Sequence, residues 1–369
     1  MVRQRMHHQF SLRKIAALAI VILLPACATP PVSQQKPQAV VVAPPAVVVP
    51  QINLADVEAL RSLVSLQNRL DRLAAPLLLK NPELCKGQAR DLLGFTAKNK
   101  YAFSAEFADA AHSAFGWDER LQVTSVLVGS GAARAGVLRP GDVLIAAEDK
   151  PLPQGPNAEG DAAKILGPLV KDRANQIERS NIKLTVARRD DTLVLEVPLT
   201  YACGFRVELG NADNVNTYAD GHRVMVTRGM INFVKSDEEL VYVMAKEMAH
   251  NALAHAIKQR MSGTIAGVID NLIHVRPDLA MISGSAGIKP MPKESDAMAD
   301  SLSLYMLARA GYDIDNAPQF WQHLATQVPA TILNGHTAIH PAIGYRLASM
   351  EKTIALIKSK QASKRPLQP

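Results

Sequence analysis

Leu54, Val57, Leu60, Leu63, Leu66, Leu70 and Leu73 recur every three or four residues, with Arg61, Gln67, Asn68 and Arg72 between them. This period predicts an amphipathic helix with Asn53 as its N-cap and Pro76 as its end, its leucine stripe facing a core. Residues 121–128 read as a strand, 129–136 as a tight small-residue helix, and 138–145 as a second strand entered through a Pro140-Gly141 turn. Further on, 222–229 is a short alternating strand. Ser236 and Glu239 then form a capping box, opening a helix predicted over 237–260. Two more helices are predicted, over 295–310 with a stop at Gly311 and over 341–358. The Lys/Pro-rich tail after the last is expected to fray.

The chain has 369 residues, 48% hydrophobic and 20% charged, which suits two or three folded domains and excludes wholesale disorder. The net charge is +7, but Arg3, Arg5, Arg13 and Lys14 supply four of those units within the first fourteen residues. The remainder is ordinary, so no nucleic-acid partner is expected. The basic start and the apolar run 15–24 form a signal peptide, the run being too short for a permanent membrane span. Leu24-Pro25-Ala26-Cys27 resembles a bacterial lipobox, in which Cys27 is lipidated and becomes the mature N-terminus; simple secretion with cleavage near Ala26 is the alternative. Ala28 at the next position implies sorting to the outer membrane. Residues 28–51 carry prolines 30, 31, 37, 44, 45 and 50 and read as an extended, semi-rigid tether.

The stretch GSGAARAGVLRPGDVLIAAEDKPL, residues 129–152, resembles a PDZ domain of the bacterial envelope-protease type. The resemblance implies a β-rich domain over 117–200, preceded by a helical segment over 52–116, that adds an extended peptide to an open sheet edge. Phe115 and Gly116 are the expected peptide-binding loop; a PDZ fold used only as a brace is the alternative. Cys85 and Cys203 are the two cysteines left once Cys27 is assigned to lipid. They bracket this stretch, and in an oxidising compartment they suggest a disulfide, with two separate buried thiols as the alternative.

The chemistry lies in residues 201–360, ahead of the basic tail 361–369. Val243-Met-Ala-Lys-Glu-Met-Ala-His250 carries the second and fifth positions of a zinc-peptidase H-E-x-x-H helix as Glu247 and His250, with Lys246 at the first. Together with NVNTYADG, GMINFVKSDEELVYVMAKEMAHNALAH, KESDAMADSLSLYMLARAGYD and HTAIHPAIGYRLASMEK, in that order, it resembles peptidase family M48, the HtpX/BepA-like zinc metallopeptidases. The resemblance implies an α+β fold: a mostly helical, zincin-like domain with a small sheet, into which the PDZ domain is inserted. It also implies Asp296 as the third ligand, where the family has a glutamate, Asp300 as its support, and His340 of the His-Pro pair as a residue able to reach the metal. Lys246 changes the expectation, because an ammonium has no lone pair for zinc. Its positive charge is expected to stand in for the dication among Glu247, Asp296 and Asp300, leaving zinc weakly held or absent. His255, some 140° round a continuous helix from His250, is not expected to share the site.

Two functions remain open at this stage. One is a catalytically impaired peptidase homologue in envelope protein quality control. It would be tethered to the outer membrane by Cys27, facing the periplasm of a Gram-negative bacterium, and would hold misfolded envelope polypeptides or their termini through the PDZ domain. The other is an active zinc metalloendopeptidase using His250, Asp296 and His340 as ligands and Glu247 as general base.

Overall fold

A computed structural model describes residues 52–171, 181–282, 288–328 and 343–369. Cys27, the tether and His340 lie outside these residues. Helix α1 (Leu54–Lys80) begins where expected, the Asn53 side chain accepting from Ala55 N at 3.0 Å. Pro76 does not end it. The helix runs one more turn because Leu77 and Leu78 continue the buried stripe, and that burial offsets the single hydrogen bond a proline removes.

The segment expected to be helical up to residue 116 also contributes two strands, β1 (Ala89–Leu92) and β2 (Phe95–Lys98), before α2 (Ala108–Phe115). There follow β3 (Gln122–Val126), α3 (Gly131–Ala135), β4 (Val143–Ala147), β5 (Lys150–Pro151), α4 (Ala162–Lys171), β6 (Asn181–Arg188) and β7 (Asp191–Pro198). These strands form one antiparallel sheet in the order β2-β3-β4-β6-β7, with β5 on β4. Alternate residues of β6 (Ile182, Leu184 and Val186) pack inward with Phe95, Val123, Leu144 and Leu166, giving this lobe a core of its own. β8 (Thr200–Cys203) returns to pair with β1, Ala89 opposite Cys203. Beside this ribbon Cys85 and Cys203 form a disulfide, with Cα atoms 5.6 Å apart, so both strands leading to the lobe are fastened to the end of α1.

Phe115 and Gly116 are not at a sheet edge. Phe115 stacks on Trp117, centroids 4.4 Å apart, within a cluster that takes in Val57 and Leu60 of α1. Gly116 ends α2 in the left-handed conformation. Phe115 packs against the cluster that braces α1, a role that an aromatic pair flanking a glycine does not disclose in sequence.

The remainder is built on β9 (Arg206–Gly210), β10 (Thr217–Ala219) and β11 (Arg223–Thr227), ordered β10-β11-β9 with β9 parallel to β11. Among the described residues seven α-helices follow: α5 (Arg228–Phe233), α6 (Asp237–Ala252), α7 (His255–Lys258), α8 (Ser262–Leu272), α9 (Lys293–Ala310), α10 (Ala317–Gln327) and α11 (Ile343–Ala362). Ser236 caps α6 by accepting from Glu239 N at 3.2 Å, while the Glu239 carboxylate takes the amide of Lys235, one residue before the cap. Every residue of α6 from Leu240 to Ala252 is buried, because α1, α9 and the sheet enclose it. The helix predicted to 260 breaks at Ala254, whose φ is 56°. Asn251 holds that end down, accepting from Gly221 N at 2.6 Å and donating to Arg223 O at 2.9 Å. The tail does not fray: Leu367 packs on the main core and Arg309 donates to its carbonyl at 3.3 Å. Among the described residues no helix is long and apolar enough to cross a membrane.

Candidate functional site

Burial of α6 on all sides forces its polar residues to find partners within the protein. Lys246 and His250 lie one turn apart and face α9, where Asp296 and Asp300 are likewise one turn apart. Lys246 Nζ lies 2.8 Å from Asp296 Oδ1 and 3.3 Å from Asp300 Oδ1, all three side chains fully buried. His250 Nε2 lies 3.3 Å from the same Asp296 oxygen. Glu247, also buried, accepts from the Thr217 hydroxyl of β10 at 2.9 Å.

Three participants were not anticipated. Arg346 of α11 is completely buried and clasps Asp300 with two bonds, Nε to Oδ2 at 2.6 Å and Nη2 to Oδ1 at 2.9 Å, with Nε also 3.6 Å from Asp296 Oδ2. Trp321 of α10 lies against both cations: Lys246 Nζ and Arg346 Cζ are each 4.8 Å from its ring centroid, within cation–π range. His255, carried back by the break at Ala254, places Nδ1 3.0 Å from Nδ1 of His250. Arg346 had a readable signal. It falls in the apolar stripe of α11 with Ile343, Leu347, Met350 and Ile357, where an exposed arginine does not belong. His255 had none, since its approach depends on the tie between Asn251 and the β10–β11 turn.

The charges fit together physically. Burial acts to raise the Asp296 carboxyl, yet the Lys246 ammonium, the His250 hydrogen bond and Arg346 hold it well below the ordinary carboxylate range. Burial lifts Glu247 above that range, with His250, Lys246 and Thr217 opposing. Burial and the neighbouring His250 push His255 down to about 3, keeping it neutral. Burial acts downward on Arg346, but Asp300 and Asp296 outweigh it and raise the guanidinium further. Helices α6, α9 and α11 are thus joined by two cations among three carboxylates.

A helix bearing Glu247 and His250, a facing helix with two aspartates and a short sheet beside them make up the site. Residues 194–354 match Peptidase family M48. The chain is similar to the mitochondrial metalloendopeptidase OMA1 of Arabidopsis thaliana, 25% identical over 123 residues, 32% of this chain and 25% of that protein. It is similar to the beta-barrel assembly-enhancing protease of Yersinia pestis, 25% identical over 139 residues, 33% of this chain and 29% of the relative. The putative beta-barrel assembly-enhancing protease of Vibrio cholerae is 28% identical over 135 residues, 31% of this chain and 27% of the relative. The match therefore spans less than a third of each relative's length.

The family implies zinc, and a catalytic zinc needs three protein donors with an open position. Of the expected ligands, α6 and α9 bring His250 and Asp296 together, but these two bond to each other. The oxygen they share also takes the Lys246 amine, which as an ammonium has no free lone pair. Among the described residues no group of three or more His, Cys, Asp or Glu is arranged to hold a metal ion. The described residues do not fit the ion; His340, the remaining expected donor, lies outside them.

Proposed function

We propose that this chain is a non-cleaving M48 homologue of the bacterial envelope, one that holds polypeptides for quality control or assembly without hydrolysing them. One observation carries the reading: the Lys246 amine, sealed from solvent, 2.8 Å from the carboxylate that would otherwise face a metal. Two cations from α6 and α11 neutralise the aspartates of α9, so the domain closes on itself electrostatically without a dication. Lipidation at Cys27 and an outer-membrane, periplasm-facing location complete the proposal, supported by the lipobox-like segment and by similarity to beta-barrel assembly-enhancing proteases.

Polypeptide capture is assigned to the six-stranded lobe, taken as a PDZ domain. β2 ends its sheet order, and α4 packs against both β1 and β2. The turn between them, Leu92 to Phe95, pivots on Gly94 at φ 73°. This turn is where we place the terminus of an added strand.

The experiment is zinc content by elemental analysis, with a cleavage assay on unfolded outer-membrane β-barrel protein. The purified full chain is compared with Lys246→His and Glu247→Gln. The parent is expected to carry well under one zinc per chain and to cut nothing, and Lys246→His to gain metal. Stoichiometric zinc in the parent, with cleavage that disappears in Glu247→Gln, would establish the active endopeptidase instead.

A further inference from the structure

Strand β2 ends the six-stranded sheet on one side, and its backbone groups turn alternately toward β3 and away from it. Leu127 N donates to Gly94 O at 2.8 Å, with Phe95 opposite Val126 and Thr96 opposite Ser125. In an antiparallel pair this puts the Gly94 carbonyl and the Thr96 amide on the β3 side. The groups of Phe95, and after it those of Ala97 and Asn99, then face the outer edge. The far end of that edge is already taken. Asp161, the residue before α4, stands opposite Lys98 in an isolated antiparallel bridge, and Asn99 N donates to Gly160 O at 3.3 Å. Gly160 comes this close because it lacks a side chain: a Cβ on it would lie 2.6 Å from Ala102 Cα and 2.7 Å from Ala102 N. Both sides of the contact are anchored. Asn99 is completely buried, its Oδ1 accepting from Tyr101 N at 2.9 Å and its carbonyl from Ala102 N at 3.1 Å. Asp161 accepts from Ala163 N at 2.8 Å, which ties it to the first turn of α4. Among the described residues no strand pairs with β2 on this side short of Lys98. Beside the open stretch, α4 carries Ile165 and Leu169, one turn apart and only partly buried. Residues 361–369 are committed elsewhere, Leu367 packing on the main core and Gln368 O taking the Lys360 amine.

We infer that Gly160 and Asp161 form a fixed stop, which limits this edge to the last three residues of a polypeptide with a free carboxyl end. A strand added antiparallel to β2 seats its last residue opposite Phe95 and its third from last opposite Ala97. Its fourth from last would fall opposite Lys98, the seat that Asp161 holds. Its fifth from last would need the Asn99 amide, which is given to Gly160. The terminal carboxylate falls at the turn from Leu92 to Phe95, where backbone amides can receive an anion. Ile165 and Leu169 favour an apolar last side chain beside it. Upstream of its third from last residue the ligand must bend away into solvent. An internal segment has no carboxylate to seat and meets the stop, so the edge selects exposed chain ends rather than unfolded chain in general. This rests on the capture reading of the lobe and narrows its ligand.

Titration calorimetry on the full chain tests the stop. The ligands are N-acetylated peptides of eight, five and three residues sharing one free-carboxyl end, selected from a synthetic octapeptide library ending in Val, Leu or Phe. The three lengths are expected to bind within about two-fold of one another, because residues beyond the third make no bonds to the edge. Amidating the end removes a charged acceptor and should weaken binding about ten-fold or more. In Gly160→Ala the added methyl pushes the stop off Ala102, and the eight-residue peptide should bind about three-fold or more tighter than the three-residue one. Hydrogen exchange supplies the readout should that variant fail to fold: in the parent, bound peptide slows the amides of Phe95 and Ala97 and leaves Asn99 unchanged. A parent affinity that grows about ten-fold or more from three to eight residues overturns the stop while leaving capture intact. So does a folded Gly160→Ala that keeps the parent's flat length profile, or a bound peptide that alters exchange at Asn99. Library peptides that bind at no length overturn the capture reading, and the stop with it.

Discussion

Replacing Lys246 with methionine keeps an apolar stem of similar length against Trp321 and removes only the charge. The loss falls on two carboxylates at once, since Nζ lies 2.8 Å from Asp296 and 3.3 Å from Asp300. At an effective permittivity near 20, a unit pair 4 Å apart is worth about 4 kcal/mol, and these contacts are closer. Part of that attraction offsets the cost of burying the amine, so the net loss is better taken from broken buried pairs, at about 3–5 kcal/mol. Arg346 remains on Asp300, but its Nε is 3.6 Å from Asp296, too far to replace a contact at 2.8 Å. For a domain of this size, each kcal/mol moves the midpoint by about 2–4 °C, so thermal unfolding in EDTA at pH 7.5 should shift down by roughly 10 °C. The double variant Lys246→Met/Asp296→Asn, which withdraws both partners, should recover at least half of that shift, because removing a whole buried pair costs far less than orphaning one member. A single-variant shift under about 3 °C, or a double variant less stable than the single, would refute the idea that this amine does a cation's structural work.

Glu247→Gln should stabilise the protein near neutral pH and change little near pH 4. Its folded carboxyl lies above the ordinary range, so the native state is progressively penalised as pH rises from the ordinary carboxylate value through the raised one, and the full penalty stands above it. Thr217 can still donate to the amide oxygen, and a midpoint unchanged at pH 7.5 would contradict the reasoning. Cys85→Ser/Cys203→Ser opens a closure spanning 118 residues and should lower stability by about 2–4 kcal/mol, read from denaturant midpoints of parent and variant. Equal midpoints would show that the ribbon β1–β8 holds the lobe without the bridge.

How much of this site can be read from sequence depends on whether the determinants are local. The capping box, the one-turn spacing of Lys246 and His250 on α6, and that of Asp296 and Asp300 on α9 are local, so the two carboxylates facing the lysine could be anticipated. The break at Ala254 could not, because Leu253 to Lys258 has ordinary helix-forming composition and what stops the helix is Asn251 bonded to Gly221 and Arg223, thirty residues upstream. Strands β1 and β2 were missed for the same reason: each is four residues long and defined by partners at 200–203 and 122–126. Arg346 is the instructive case. Glu247, Asp296 and Asp300 around a single lysine leave a buried excess of negative charge, which a protein interior does not tolerate without a counter-ion. That imbalance calls either for a metal or for a second cation at a stripe position of a neighbouring helix. Arg346 meets the second requirement with two bonds to Asp300, leaving Lys246 to engage Asp296 at the shorter of its two contacts. The substitution at the first motif position is therefore tolerable only because α11 supplies the other half of the charge. An Arg346→Leu variant should be at least as damaging as Lys246→Met in the same thermal assay, and a harmless one would show that the aspartates are neutralised by something other than these two side chains.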